Sequence, residues 1–460
     1  MIPVFEEVYS LDKNCYQNGL SEAILMENAS RAIYEEVKKF NSICIVAGAG
    51  NNGADGIALA RMLLGERKVH LFLPMGVKSE MAKFQFKIYK NYGGEYSEFK
   101  LTKKENYECY VDAIFGSGLK RDLTPEINRI IKNINKQKGV KIACDIPTGL
   151  DENGNRRGEV FKADKTITMG AIKLALLSDE AKNFVGEIKI ANLGVEFQKY
   201  STKSDYFLLQ KSELHLPFRE KKNSHKGTFG HLGVLVGEKE GAGIIAGLSA
   251  LNFGAGLVTC VTKDKTSIPF ELMHSSQISD RFTALVMGMG MGNFFDDEIE
   301  KISNLEIPMV IDADLFYNEK IKLFLNKKVI FTPHPKEFAS LLEIIKMGEF
   351  DTKTIQKNRF KLAKEFSKKY PHIVLVLKGA NTIIAYKNKV YINNFGSPAL
   401  SKGGSGDVLA GMIGALIAQK YHPLKASFTA VIQHSLIGEN YTPNYSLTPL
   451  KIIKKLGETF

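Results

Sequence analysis

The chain has 460 residues, 44% hydrophobic and 24% charged, the values of an ordinary globular protein long enough for roughly two to four domains. Its net charge of +12 comes mainly from lysines scattered over presumed helix surfaces, such as Lys38-Lys39 and Lys368-Lys369. With no polybasic tail and no aromatic-interleaved basic stripe, a nucleic-acid partner is not expected.

Five cysteines, far apart and never spaced C-x-x-C, imply neither a zinc site nor a disulfide framework. The N-terminus has no basic segment leading into an apolar core. No stretch approaches the roughly 20 apolar residues of a membrane span. A soluble, cytoplasmic protein with no membrane partner is expected.

Short apolar segments rich in branched residues at 42–47, 68–73, 109–114, 141–144 and 165–169 read as strands, with helical patterns at 21–40, 56–64 and 79–91. The alternation predicts a mainly parallel, doubly wound α/β sheet. Residues 194–226 are polar and irregular, which places a boundary there and gives domains 1–205 and 206–460. A second α/β pattern starts at 233–236 and continues through 284–287, 308–312, 329–332 and 373–378. A hairpin follows, 382–386 and 390–392 about the turn Lys387-Asn388-Lys389. Each half is expected to bind ligands at loops following strands.

In the first half, Gly48-Ala49-Gly50-Asn51-Asn52-Gly53 matches G-x-G-x-x-G, a weak dinucleotide signal by itself. The next strand ends in Pro74-Met75-Gly76 with no acid to grip a ribose, and Asp55 would set a negative charge against a pyrophosphate. Asn51, Asn52 and Asp55 instead offer oxygen ligands and amide donors for a polar ligand or a hard cation. Two further post-strand loops carry acids, Asp112-Ala113-Ile114-Phe115-Gly116-Ser117-Gly118-Leu119 and Asp145-Ile146-Pro147-Thr148-Gly149-Leu150-Asp151.

In the second half, Gly403-Gly404-Ser405-Gly406-Asp407 runs into an apolar helix. Small residues before a helix N-terminus let several N–H groups converge on an anion. A carboxylate in that hole is explained if Asp407 takes the proton from a hydroxyl that attacks a bound phosphoryl group. Four other segments can converge there: Met287-Gly288-Met289-Gly290-Met291-Gly292, Asp312-Ala313-Asp314, Thr332-Pro333-His334-Pro335-Lys336-Glu337 and Lys378-Gly379-Ala380-Asn381-Thr382. No G-x-x-x-x-G-K-[ST] exists, so a P-loop kinase is excluded.

The first half resembles the YjeF N-terminal domain, the NAD(P)HX epimerase family, through Leu25-Met26-Glu27-Asn28-Ala29-Ser30-Arg31-Ala32, Asn51-Asn52-Gly53-Ala54-Asp55-Gly56 and the Asp112 and Asp145 loops. Ala54 departs from the family's usual glycine. The resemblance implies a Rossmann-like sandwich. In it Asn51, Asn52, Gly53, Ala54, Asp55, Gly116, Ser117, Gly118, Leu119, Lys120, Arg121, Asp122 and Asp145 hold a hydrated nicotinamide nucleotide. It also implies a potassium ion near Asn52, Asp112 and Thr148, with Asp145 as the acid/base.

The second half resembles the ribokinase-like superfamily, and within it the ADP-dependent NAD(P)HX dehydratases, from His225-Lys226-Gly227 and Gly254-Ala255-Gly256-Leu257 to Ser446-Leu447-Thr448. This implies substrate contacts at Ala242, Gly290, His334 and Asp407, with Asp407 as the catalytic base. Nucleotide contacts are implied at Lys378, Gly379, Ala380, Asn381, Thr382 and Gly406. The loop Gly237-Glu238-Lys239-Glu240-Gly241-Ala242 departs from the usual Gly-Ser beginning.

Together the two resemblances imply a bifunctional lyase and isomerase acting on NADHX and NADPHX, with ADP as co-substrate, magnesium beside it, and a homo-oligomeric assembly. The competing expectations are a thiazole- or pyridoxal-type small-molecule kinase with a sensing N-terminal domain, and an inert nucleotide-binding protein similar to apolipoprotein-A-I-binding relatives.

Overall fold

The computed structural model describes residues 1–97, 106–200, 203–263 and 267–458. The chain divides into two units, one of Pro3–Ser204 and one of Met1–Ile2 with Asp205–Phe460.

The first unit is built on β1 (Ser42–Ala47), β2 (Lys68–Phe72), β3 (Tyr96–Ser97), β4 (Cys109–Ala113), β5 (Val140–Cys144), β6 (Lys165–Met169) and β7 (Glu187–Ala191). All pair in parallel, in the order β3-β2-β1-β4-β5-β6-β7. Both faces are covered by helices, which is why these strands read as continuous apolar runs instead of alternating ones. The order reverses between β1 and β4, so the loops after these strands flank a natural ligand crevice.

Helices α1 (Glu22–Val37) and α3 (Glu80–Asn91) start where expected, and α4 (Pro125–Asn135), which had no counterpart among the expected elements, starts in the same way: Ser21, Ser79 and Thr124 accept hydrogen bonds from first-turn amides. Helix α2 (Asn51–Met62) begins five residues earlier than the pattern suggested. Residues 51–55, read as loop, are its first turn. Local propensity opposes a helix at Asn-Asn-Gly, and tertiary contact overrides it. Gly53 lies against the Gly48 carbonyl, and Gly56 lies against Ala113 and Ala47.

The second unit carries β8 (Tyr206–Leu208), β9 (His231–Leu235), β10 (Leu257–Val261), β11 (Met273–Ser275), β12 (Ala284–Met287), β13 (Met309–Ile311), β14 (Val329–Phe331), β15 (Val374–Leu377), β16 (Thr382–Tyr386) and β17 (Lys389–Asn393). Their order is β11-β10-β9-β12-β13-β14-β15-β16-β17-β8. Pairing is parallel except about β16. Lys387 and Asn388 both have positive φ, 50° and 64°, so the hairpin closes with a two-residue type I′ turn. Lys389, expected in the turn, already belongs to β17. Strands β3, β7, β8, β10 and β11 had no counterpart among the expected elements.

The covering helices include α5 (Glu240–Asn252), α6 (Pro335–Ile344), α7 (Thr352–Lys369), α8 (Ser405–Ala418) and α9 (Pro423–Asn440). Every residue of α8 from Val408 to Ala418 is buried, as an all-round apolar helix requires. A Cβ on Gly411 would lie 2.2 Å from the Ala246 carbonyl, so α8 meets α5 backbone to backbone. Among the described residues no helix is long and apolar enough to cross a membrane.

Gly53→Ala sets two effects against each other. Removing a helix-interior glycine gains about 0.5–1 kcal/mol, but the new Cβ would sit 1.8 Å from the Gly48 carbonyl oxygen. The clash should win and lower Tm; a thermal melt at or above the wild-type midpoint would contradict the close approach of α2 to the β1 loop.

Candidate active sites

In the first unit the strand-end loops bring Asn52, Asp55, Gly116, Ser117 and Asp145 together. Asp145 stands directly after β5 in the left-handed region, φ 68°, a conformation costly for a residue with a Cβ and found mostly at functional sites. Its Oδ2 accepts from the Ser117 amide at 3.3 Å. An ideal Cβ on Gly116 would be 2.8 Å from that oxygen and 3.2 Å from Asn52 Oδ1. Glycine at 116 therefore keeps open the space that both side chains face.

Asp145 Oδ1 turns inward, accepting from the Met169 amide at 3.2 Å and meeting Lys173 Nζ at 2.5 Å. Lys173 is 1% exposed. It also donates to Thr168 Oγ1 at 3.1 Å and to the Met169 carbonyl at 3.2 Å, one acceptor for each ammonium proton. The short strand Ile172–Lys173 that carries it pairs in parallel with Val4 and Phe5.

Asp55, on α2, is 8% exposed. Burial first, and the nearby Asp145 charge second, push its carboxyl well above the usual range.

Asp112, 1% exposed, accepts from Thr148 Oγ1 and the Thr148 amide, both at 2.7 Å, and from the Ile114 amide at 3.1 Å. Burial pushes it up to about 6. Among the described residues no lysine or arginine pairs with it. Asn52 Nδ2 is buried without a partner. A buried carboxylate with no cationic partner, bonded to a hydroxyl, offers hard oxygen donors of the kind a cation takes.

Not every expected residue joins this cluster. Asn51 Nδ2 donates to Glu22 Oε1 at 2.7 Å. Ala54 and Leu119 pack in the core, and Gly53 packs against Gly48. Gly118, Lys120, Arg121 and Asp122 are exposed along the loop.

In the second unit the convergence is around Lys378. Its ammonium lies 2.7 Å from Asp312 Oδ1 and 3.8 Å from Glu337 Oε2. A Cβ on Gly406 would meet it at 3.4 Å. Gly404, φ 86°, is the N-cap of α8. The Ser405 amide is already bonded to the Lys402 carbonyl at 3.2 Å. The first-turn N–H groups of Gly406 and Asp407 have no partner within the helix and lie beside the Lys378 ammonium, an arrangement that can hold an anion. Burial, then the Asp312 charge, raises the Asp407 carboxyl to about 6. A carboxylate near that value suits a general base.

Gly290, φ 56°, carries the loop of Ala242: the Lys239 amide donates to its carbonyl at 2.9 Å. A Cβ on Gly290 would be 3.3 Å from Ala242 Cβ. His334 caps α6, its Nδ1 accepting from the Lys336 and Glu337 amides at 3.1 Å each, while Nε2 faces Glu337 Oε1 at 3.1 Å. That cap puts the ring proton on Nε2, and burial lowers the histidine's basicity further. Asn381 is buried and Thr382 opens β16. Among the described residues no three His, Cys, Asp or Glu side chains are grouped to hold a metal, so the site fits magnesium only as an ion carried on nucleotide phosphates.

Sequence reasoning missed Lys173. A single lysine inside Gly170-Ala171-Ile172-Lys173-Leu174-Ala175-Leu176-Leu177 was the available signal, since a lysine is almost never fully buried unless paired.

Residues 22–175 match the family described as YjeF-related protein N-terminus, and residues 232–457 the family described as NAD(P)H-hydrate dehydratase. The bifunctional NAD(P)H-hydrate repair enzyme Nnr of Helicobacter pylori is 42% identical over 100% of both chains. The protein of the same name from Escherichia coli K12 is 31% identical over 88% of this chain and 81% of its own. The solved ADP/ATP-dependent NAD(P)H-hydrate dehydratase of Bacillus subtilis is 26% identical, covers 52% of this chain and 91% of its own, and superposes with a TM-score of 0.44.

Removing one member of a buried ion pair strands the other charge, at a cost of about 3–5 kcal/mol. Lys173→Met should lose stability of that order in urea unfolding, and Lys173→Met with Asp145→Asn should regain part of it. A double variant as unstable as the sum of the single ones would show that the pair is not coupled.

Proposed function

Because the chain belongs to the family of bifunctional NAD(P)H-hydrate repair enzymes, we propose that Pro3–Ser204 interconverts the R and S hydrates of NADH and NADPH. Asp205–Phe460 then dehydrates the S hydrate at the expense of ADP. The observation that carries the second step is the carboxylate of Asp407, raised to about 6, in the same first turn as the anion hole and next to the Lys378 ammonium.

ADP lies along Lys378, Gly379, Ala380, Asn381, Thr382 and Gly406, with its terminal phosphoryl group at the N–H groups of α8. Asp407 accepts the proton of the C6 hydroxyl as that oxygen takes the phosphoryl group, and AMP departs. Hydroxide is a poor leaving group and phosphate a good one. Loss of the C6 phosphate together with a C5 proton restores the ring double bond. Lys378 and the helix N-terminus hold charge that grows in transfer; a magnesium ion on the phosphates supplies further positive charge. Ala242, Gly290 and the Nε2–H of His334 border the nicotinamide side.

In the first unit Asn52 and Asp145 face the same opening over Gly116. There the ring nitrogen's lone pair expels the C6 hydroxyl as water, and water returns to the other face. Asp145 exchanges the proton with that oxygen. A potassium ion, if held by Asp112, Thr148 and Asn52, would supply fixed positive charge for an anionic nucleotide. Joining both activities in one chain is economical because only one epimer enters the second step. The small-molecule kinase reading shares the anion hole and base but leaves the N-terminal acidic cluster without a task.

Asp407→Asn should cut ADP-dependent NADHX loss by about 10²–10⁴-fold and leave epimerisation unchanged. Retained dehydration would remove Asp407 as the base. For the wild type, ionised Asp407 is lost as pH falls through about 6. Dehydration kcat/KM should then drop roughly tenfold per unit below that pH; a flat profile down to pH ~5 would contradict the assignment. Asp145→Asn should spare dehydration of pure S epimer but leave the R epimer to its spontaneous rate.

A further inference from the structure

Arg359 lies on α7 between Ile355 and Ala363, at the spacing of the helix's buried face, and is 2% exposed. Its guanidinium reaches the back of the loop that follows β15. Nη2 donates to the Leu377 carbonyl at 3.0 Å and to the Lys378 carbonyl at 3.2 Å. Gly379 presses on the same group: a Cβ there would lie 2.1 Å from Nη1 and 2.6 Å from Cζ. The helix departs from helical geometry at Asn358, φ −113° and ψ 16°, immediately before the arginine. The Lys378 amide is held from another side by the Pro333 carbonyl at 2.9 Å, and its ammonium by Asp312 at 2.7 Å.

We infer that Arg359 is a positioning residue for the nucleotide's diphosphate. It ties two consecutive carbonyl oxygens back, away from the face where phosphate would bind. An anion arriving at Lys378-Gly379 then meets the Lys378 ammonium instead of carbonyl dipoles. One terminal nitrogen of the rigid, planar guanidinium serves both carbonyls at once, a position that a lysine's ammonium at the end of a flexible stem holds poorly. Glycine at 379 follows from the same contact, since any side chain would displace the guanidinium. The inference rests on the reading of Lys378 to Thr382 as the ADP site.

The test uses the full chain and two readouts, ADP binding by calorimetry and initial rates of NADHX dehydration with ADP and NADHX varied separately. Arg359→Ala should weaken ADP binding and raise the KM for ADP by about tenfold or more, the scale of losing hydrogen bonds to a charged group. The KM for NADHX should stay within about twofold. Arg359→Lys should recover only part of the loss, and added methylguanidine should restore part of the Ala variant's ADP affinity.

Gly379→Ala, which pushes on the guanidinium from the loop side, should reproduce the ADP-selective defect if Arg359→Ala does not fold. Equal shifts in both KM values, or a fall in kcat alone, would overturn the inference. Failure of the wild type to bind ADP would overturn it together with the site reading. ADP binding without dehydration would instead overturn only the repair reading, leaving Arg359 to be judged on affinity.

Discussion

A lysine ammonium held against a strand-end carboxylate is the constraint on which both units depend. Lys173 meets Asp145 at 2.5 Å and Lys378 meets Asp312 at 2.7 Å. Taking either charge out of water alone would cost several kcal/mol, about what mutual attraction and full hydrogen bonding can offset. The pair therefore stabilises little in net terms but fixes where its members are. Asp145 can sit at φ 68° because one oxygen is locked to Lys173 while the other is left to face the opening over Gly116. Lys378 can stand beside the α8 N-terminus because Asp312 and Glu337 hold it there.

Around those pairs the remaining acids are sorted by burial. Asp55, Asp112, Asp407 and Glu337 are all pushed upward, with desolvation the leading cause in each. Acids raised by burial are how one protein supplies both proton donors and proton acceptors near neutral pH. In the second unit, on the proposed reading, this logic makes a kinase-like helix start serve a dehydratase: the base activates a hydroxyl whose new phosphate is meant to leave. In the first unit it gives a carboxylate cluster suited to releasing and recapturing water at one carbon.

Much of this was legible in the sequence because it depends on local chemistry. Branched apolar runs gave β1, β2, β4, β5 and β6 within a residue or two. The Gly403 to Asp407 run read as a helix-start anion hole with a misplaced acid; the helix does start there, at Ser405 with Gly404 as its N-cap, although Ser405's amide is used elsewhere. What was illegible depends on packing. Helix α2 starts at Asn51 only because Gly53 and Gly56 fit against Gly48, Ala113 and Ala47, contacts that no propensity foretells. Strand β8 is short and lies in a stretch read as polar and irregular, so no pattern marked it. Lys173 and Arg359 left single out-of-place charges, one in an apolar run and one on an apolar helix face, but their partners are distant in sequence.

The central claim is that one chain carries a hydrated nicotinamide of either configuration back to its reduced form, at the expense of phosphoryl transfer. The most direct measurement incubates the intact protein with a mixture of R and S NADHX and ADP, following NADH absorbance alongside AMP and phosphate release. The account predicts recovery of both epimers, with one AMP and one phosphate formed per NADH. Recovery that stops at the S fraction, or phosphoryl transfer that yields a stable phosphorylated product and no NADH, would contradict it.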